Sequence, residues 1–141
     1  MYEAARERVR EFIGAAAREE VIFTAGATAS INTVAYAWGE EFLHSGDNII
    51  VSEMEHHSNI VPWQLIAQRK GAELRVLPFD DEGRLKIEKL DELLDTRTRM
   101  VAVTQASNTL GTRPDLKTIM FVYDHIRVLR GTFIFHIVYI L

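Results

Sequence analysis

Short apolar runs rich in β-branched residues alternate along this chain with longer stretches whose apolar residues recur at three and four, and that alternation constrains the fold more than any other feature. The runs are Val21–Thr24, Asn48–Ser52, Glu73–Pro78 and Met100–Thr104. Between them lie helical patterns: Tyr2 to about Glu19 with Ala5, Val9, Phe12, Ile13 and Ala16 on one stripe, then Ile31, Val34, Ala35, Trp38 and Phe42 on another. A third begins at Pro62, which suits a first helical turn, and stops at Gly71. A fourth carries Ile87, Leu90, Leu93 and Leu94, and a fifth runs from Asp115 to about Arg127 before a tail with the composition of one last strand. Strands that are apolar on both faces and alternate with helices predict an α/β fold, a mostly parallel sheet flanked by helices.

In such sheets ligands bind outside the carboxyl ends of the strands. Three loops there are rich in polar or small residues: Ala25–Thr28, Glu53–Asn59 and Gln105–Gly111. A parallel sheet opens all three on one edge.

The first of them, in Val21 to Asn32, reads as strand, tight turn and helix start. The first N–H groups of a helix lack intrahelical partners and sit at the positive end of the macrodipole, so such a turn can hold a phosphate. Gly26 lets the main chain approach closely, and Thr28 offers a hydroxyl. The plainer alternative is a small-residue turn that binds nothing.

The 141 residues suit one domain with a real core. A net charge of −4, with basic residues interspersed among acids, argues against a nucleic-acid footprint. The absence of cysteine removes disulfides, thiolate metal sites and thiol nucleophiles together and is compatible with the cytoplasm. The charged start does not read as a signal peptide, and the apolar Thr132–Leu141 is far short of the ~20 residues a spanning helix needs, so no membrane partner is expected.

Glu55-His56-His57-Ser58-Asn59 admits three readings. It can be a solvated loop, a metal site drawing on Glu53, Glu55, His56 and His57, or an imidazole face laid against a planar ligand. Asn108 can cap a turn, or its amide can donate to a ligand oxygen.

Phe-Thr-Ala-Gly-Ala-Thr-Ala-Ser-Ile-Asn, Gly46-Asp-Asn-Ile-Ile, Met54-Glu-His-His-Ser-Asn-Ile-Val-Pro-Trp63, Gly71-Ala-Glu-Leu and Ser107-Asn-Thr-Leu-Gly-Thr112 follow one another in an order and spacing that resemble the cysteine desulfurases of the SufS-like branch. These are class V aminotransferase-family enzymes of pyridoxal-phosphate (PLP) fold type I. The resemblance covers roughly Tyr2 to Pro114 and implies a partial PLP-binding large domain over residues 1–119, with a divergent hydrophobic tail over 120–141. It implies that Gly26, Ala27 and Thr28 hold the cofactor phosphate, that His56 stacks on the pyridine ring, and that Asn108 hydrogen-bonds the phenolic oxygen. It also implies an amino-acid substrate (L-cysteine converted to L-alanine, the sulfur passing to an enzyme cysteine), a homodimer, and a sulfur-acceptor protein in iron–sulfur cluster assembly.

The chain departs from this pattern in several places. Ala27 stands where the family usually has a hydroxyl residue, and a lost hydrogen bond to a charged group costs about 1.5–3 kcal/mol. No cysteine is present to take the sulfur, and Lys70, Lys86, Lys89 and Lys117 all lack the context of the family's Schiff-base lysine. Arg130–Leu141, where an aspartate should pair with the pyridine nitrogen, contains no acid. These departures, with a first helix that begins at the initiator methionine without a capping residue or lead-in, make an N- and C-terminally truncated fragment, inactive alone, the expectation. A reading-frame change with an early stop would produce such a tail, which sequencing of the locus in all frames tests. The alternatives are a non-catalytic homologue that pairs with a full-length subunit or partner, and a fragment of another class V enzyme such as a selenocysteine lyase or aminotransferase.

Overall fold

β1 (Asn48–Ser52) is buried along its whole length and is the strand on which the others are registered. A computed structural model describes residues 1–122 and 135–137. β1 pairs in parallel with β2 (Glu73–Leu77) on one side and β3 (Thr98–Ala102) on the other, and β4 (Phe135–Ile137) pairs in parallel with β3. The order β2-β1-β3-β4 is a parallel sheet, as the alternation predicts.

The period-2 geometry of β1 divides the core between two faces. Ile49 and Val51 join Met100 and Ala102 beneath α2 (Ala27–Phe42) and α3 (Val61–Lys70), where Ile31, Ala35, Trp38, Trp63 and Ile66 are buried. Ile50 points the other way, into a cluster with Leu77, Leu85, Leu90, Leu94, Val103 and Ile119. Burying a side chain of this size contributes about 1.5–3 kcal/mol, so both layers are needed to hold the sheet. Gly39 of α2 is what lets α3 approach: a Cβ there would lie 2.5 Å from Ile66 Cγ1.

Four sequence expectations are corrected. Val21–Thr24 is not a strand of the sheet. The four described strands pair with one another, leaving this segment without a ladder, and β-branched composition alone does not make a strand. It is tethered instead by Arg6, whose Nε donates to the Val21 carbonyl at 3.0 Å, while Ile22 faces solvent. The N-terminal helix, α1 (Tyr2–Ile13), ends well before Glu19, because Gly14 takes the left-handed conformation at φ 68° and closes it. None of its residues is buried, and Tyr2 meets Phe23 edge-on with ring centroids 5.5 Å apart.

The helix expected around Leu90 is a single turn, α4 (Leu90–Leu93), preceded by a 3-10 turn at Ile87–Lys89. Leu94 leaves helical geometry at ψ 132°, and Asp95 then accepts from Arg97 N–H at 2.7 Å to start the approach to β3. β3 stops at Ala102 rather than Thr104, because the Thr104 N–H donates to Glu55 Oε1 at 2.7 Å instead of to a ladder partner.

Residues 116–122 are helical, begun by Asp115, which accepts from the Thr118 N–H at 3.2 Å and its hydroxyl at 2.7 Å. The remainder of the helix expected to about Arg127, and most of the 120–141 tail, lie outside the described residues. No described helix is long and apolar enough to cross a membrane.

Candidate ligand-binding site

Gly26, Ala27, Thr28, His56 and Asn108 line one open cavity of about 630 Å³. It lies where the α2 N-terminus meets the loops leaving β1 and β3, the edge the alternating pattern singles out.

Gly26 is the N-cap of α2, at φ 152° and ψ 175°, a region essentially confined to glycine. The first helical bond runs from Ser30 N–H to Gly26 O at 3.0 Å, so the N–H groups of Ala27, Thr28 and Ala29 precede the helical ladder. Thr24 fixes this turn. Its hydroxyl donates to Gly26 O at 3.0 Å and accepts from the Ser30 hydroxyl at 2.6 Å. Nothing lies within 4 Å of where a Gly26 Cβ would stand, so the helix start opens onto free space. A helix N-terminus with open space before it suits an anion.

His56 precedes a 3-10 turn, His57–Asn59, as its N-cap. Its Nδ1 accepts from the Ser58 N–H at 3.1 Å, with Ser58 Oγ at 2.9 Å. An accepting Nδ1 assigns the proton to Nε2. The ring is exposed on the cavity while Ser58 and Asn59 behind it are buried, so this is not a merely solvated loop.

Among the described residues no three His, Cys, Asp or Glu side chains converge, and Glu55 is turned into the protein.

The Asn108 turn is closed by its neighbours. Ser107 N–H donates to Thr112 O and Gly111 N–H to Ser107 O, each at 2.9 Å, and Ser107 Oγ accepts from Leu110 N–H at 3.1 Å. Ser107 therefore does the capping, and Asn108 stays exposed on the cavity.

Sequence reasoning missed a buried chain of hydrogen bonds behind His56. Trp63 Nε1–H donates to Asn59 Oδ1 at 2.8 Å, and Asn59 Nδ2 donates to Glu55 Oε2 at 2.8 Å. Ser52 Oγ and the Thr104 N–H both donate to Glu55 Oε1. The spacing Glu55, Asn59, Trp63, each four residues from the next, was the available signal, because such residues stack on one side of a helical stretch.

The aminotransferase class-V family profile matches residues 1–128. The chain belongs to that family. A cysteine desulfurase from Cronobacter sakazakii is 52% identical over 118 residues, which are 84% of this chain and 29% of that protein. The crystal structure of the cysteine desulfurase CsdA from Escherichia coli superposes with a TM-score of 0.82 at 38% identity, covering 97% of this chain and 33% of that one. The apo cysteine desulfurase of Thermococcus onnurineus gives 0.81 at 33% identity, covering 94% and 32%. This class V chain thus spans about three tenths of the length of the relatives it matches. None of its four lysines, Lys70, Lys86, Lys89 and Lys117, lines the cavity.

Proposed function

We propose that this chain is the phosphate- and ring-binding segment of a SufS-like cysteine desulfurase, holding pyridoxal 5′-phosphate without a covalent link and not turning over L-cysteine by itself. The observation that supports the reading is the shared cavity of Gly26, Ala27, Thr28, His56 and Asn108. Its donor set suits a flat phosphorylated ring: unladdered N–H groups for the phosphate, an imidazole for the ring face, an amide for a ring oxygen.

In this reading the N–H groups of Ala27 and Thr28, with the Thr28 hydroxyl, bind the phosphate. The His56 ring lies along the pyridine with Nδ1 held by Ser58, and the Asn108 amide donates to the phenolic oxygen. When bound, the cofactor supplies an electron sink for carbanion chemistry at the amino-acid α-carbon. The chain's own part is to orient the ring. It provides no cysteine to receive sulfur and no lysine at the cavity, which is the basis for inactivity of the chain alone. The homodimer, the sulfur-acceptor partner, the cytoplasmic setting and the role in iron–sulfur cluster assembly belong to the same proposal, supported by resemblance to the desulfurases.

Equilibrium titration with pyridoxal 5′-phosphate, followed by borohydride reduction and peptide mapping, tests it. Saturable binding without a uniquely labelled lysine, and no alanine formed from L-cysteine, are expected. A single labelled lysine, or turnover, contradicts the reading.

A further inference from the structure

The hydrogen bonds behind His56 have a fixed direction. Trp63 Nε1–H is donor only, and so is the Thr104 N–H at the other end. Asn59 accepts from the first through its oxygen and therefore turns its amide nitrogen toward Glu55. Glu55 thus accepts from Asn59 on one oxygen and from Thr104 and Ser52 on the other. Glu55 is only 8% exposed, so these donors meet its carboxyl group away from solvent.

The same carboxylate joins two loops that are far apart in sequence. One oxygen holds Asn59 of the turn that carries His56; the other holds Thr104, which leads into the Asn108 turn through its hydroxyl bond to Ala106 O at 2.8 Å. We infer that Glu55 is a positioning residue for the cavity, its buried carboxylate fixing the turn of His56 against the turn of Asn108 so that the two close on opposite parts of one planar ligand. The inference rests on the ring-binding reading for its ligand. The α2 N-terminus is tied separately, by Thr24.

Glu55→Gln breaks the direction without changing size. If the introduced amide oxygen faces Thr104 and Ser52, the amide nitrogen meets the Asn59 nitrogen; flipping Asn59 then sets that nitrogen against Trp63 Nε1–H. Every arrangement leaves two buried donors face to face. The double variant Glu55→Gln with Asn59→Asp restores the sequence of donors and acceptors, because the new carboxylate accepts both from the introduced amide and from Trp63.

The test uses pyridoxine 5′-phosphate, which carries ring and phosphate but no aldehyde to react with lysines, beside inorganic phosphate. For E55Q we expect affinity for pyridoxine 5′-phosphate about tenfold weaker, phosphate affinity unchanged, and recovery in the double variant. Amide hydrogen exchange of the ligand-free chain gives a second readout: faster exchange at Thr104, Leu110 and Asn59 together in E55Q, none at Ser30, and protection regained in the double variant. Wild-type-like binding or exchange in E55Q overturns the inference. So does equal loss of both ligands with faster exchange throughout, which the double variant fails to repair. Wild-type chain that binds neither ligand while the exchange pattern holds overturns the ring-binding reading and leaves the coupling of the two turns standing.

Discussion

Arg75 on β2 donates from Nη1 to Asp95 Oδ2 at 2.7 Å and to the Leu93 carbonyl at 2.6 Å, tying the edge strand to the turn that feeds β3. Burial pushes the Asp95 carboxyl up, but hydrogen bonds from Arg75, the Arg97 N–H and the Asn48 amide outweigh it and hold the group below the ordinary aspartate range. Asp80 and Asp115 are lowered as well, chiefly by hydrogen bonds from Arg84 N–H and from Thr118. A carboxylate whose folded-state pKa is depressed contributes stability that is complete above its unfolded value, about 4, and lost as pH falls through the folded value. Stability is therefore expected to be flat with respect to these groups above about pH 5 and to fall below about pH 4. Asp95→Asn should cost about 1 kcal/mol at neutral pH, because the pair is partly solvated, and should flatten the acid limb; urea melts across pH 3–7 check both.

Much of this is legible in the sequence, and the failures have physical causes. β1 is readable to the residue because Asn48–Ser52 is buried on both faces and bounded by a turn. That His56 and Asn108 share the cavity follows from strand direction, since the loops after parallel β1 and β3 open on one edge, whereas Gly26 and Thr28 reach it through the N-terminus of α2 with no strand before them. Val21–Thr24 misleads because strand propensity is local while a ladder requires a neighbour. The role of Glu55 is not readable in the sequence, which does not reveal that three donors converge on it from residues as distant as Thr104.

Gly39→Ala is expected to destabilise the chain by about 1–2 kcal/mol even though alanine is the better helix former, because the new Cβ falls 2.5 Å from Ile66 Cγ1. Ile66→Ala alone opens a cavity and should cost about 2–5 kcal/mol. The double variant should cost clearly less than the sum of the two, a coupling that denaturant melts of all four proteins measure.

Gly26→Ala meets no steric obstacle within 4 Å, so its effect is conformational. Forcing a side chain onto φ 152° costs about 1–3 kcal/mol or displaces the turn. We expect inorganic phosphate to bind several-fold more weakly, while the core amides of β1 exchange as slowly as in the parent chain. Undiminished phosphate binding would place the anion elsewhere.

Whether three segments distant in sequence share one ring-and-phosphate site is decided by a two-dimensional NMR titration of the isotopically labelled chain with pyridoxal 5′-phosphate. The expected result is a single saturable transition shifting the amides of Ala27 and Thr28, the His56 ring and the Asn108 side chain together, weakened about tenfold by either His56→Ala or Asn108→Ala. Shifts confined to the surroundings of Lys70, Lys86, Lys89 or Lys117, or different midpoints at Thr28, His56 and Asn108, would contradict it.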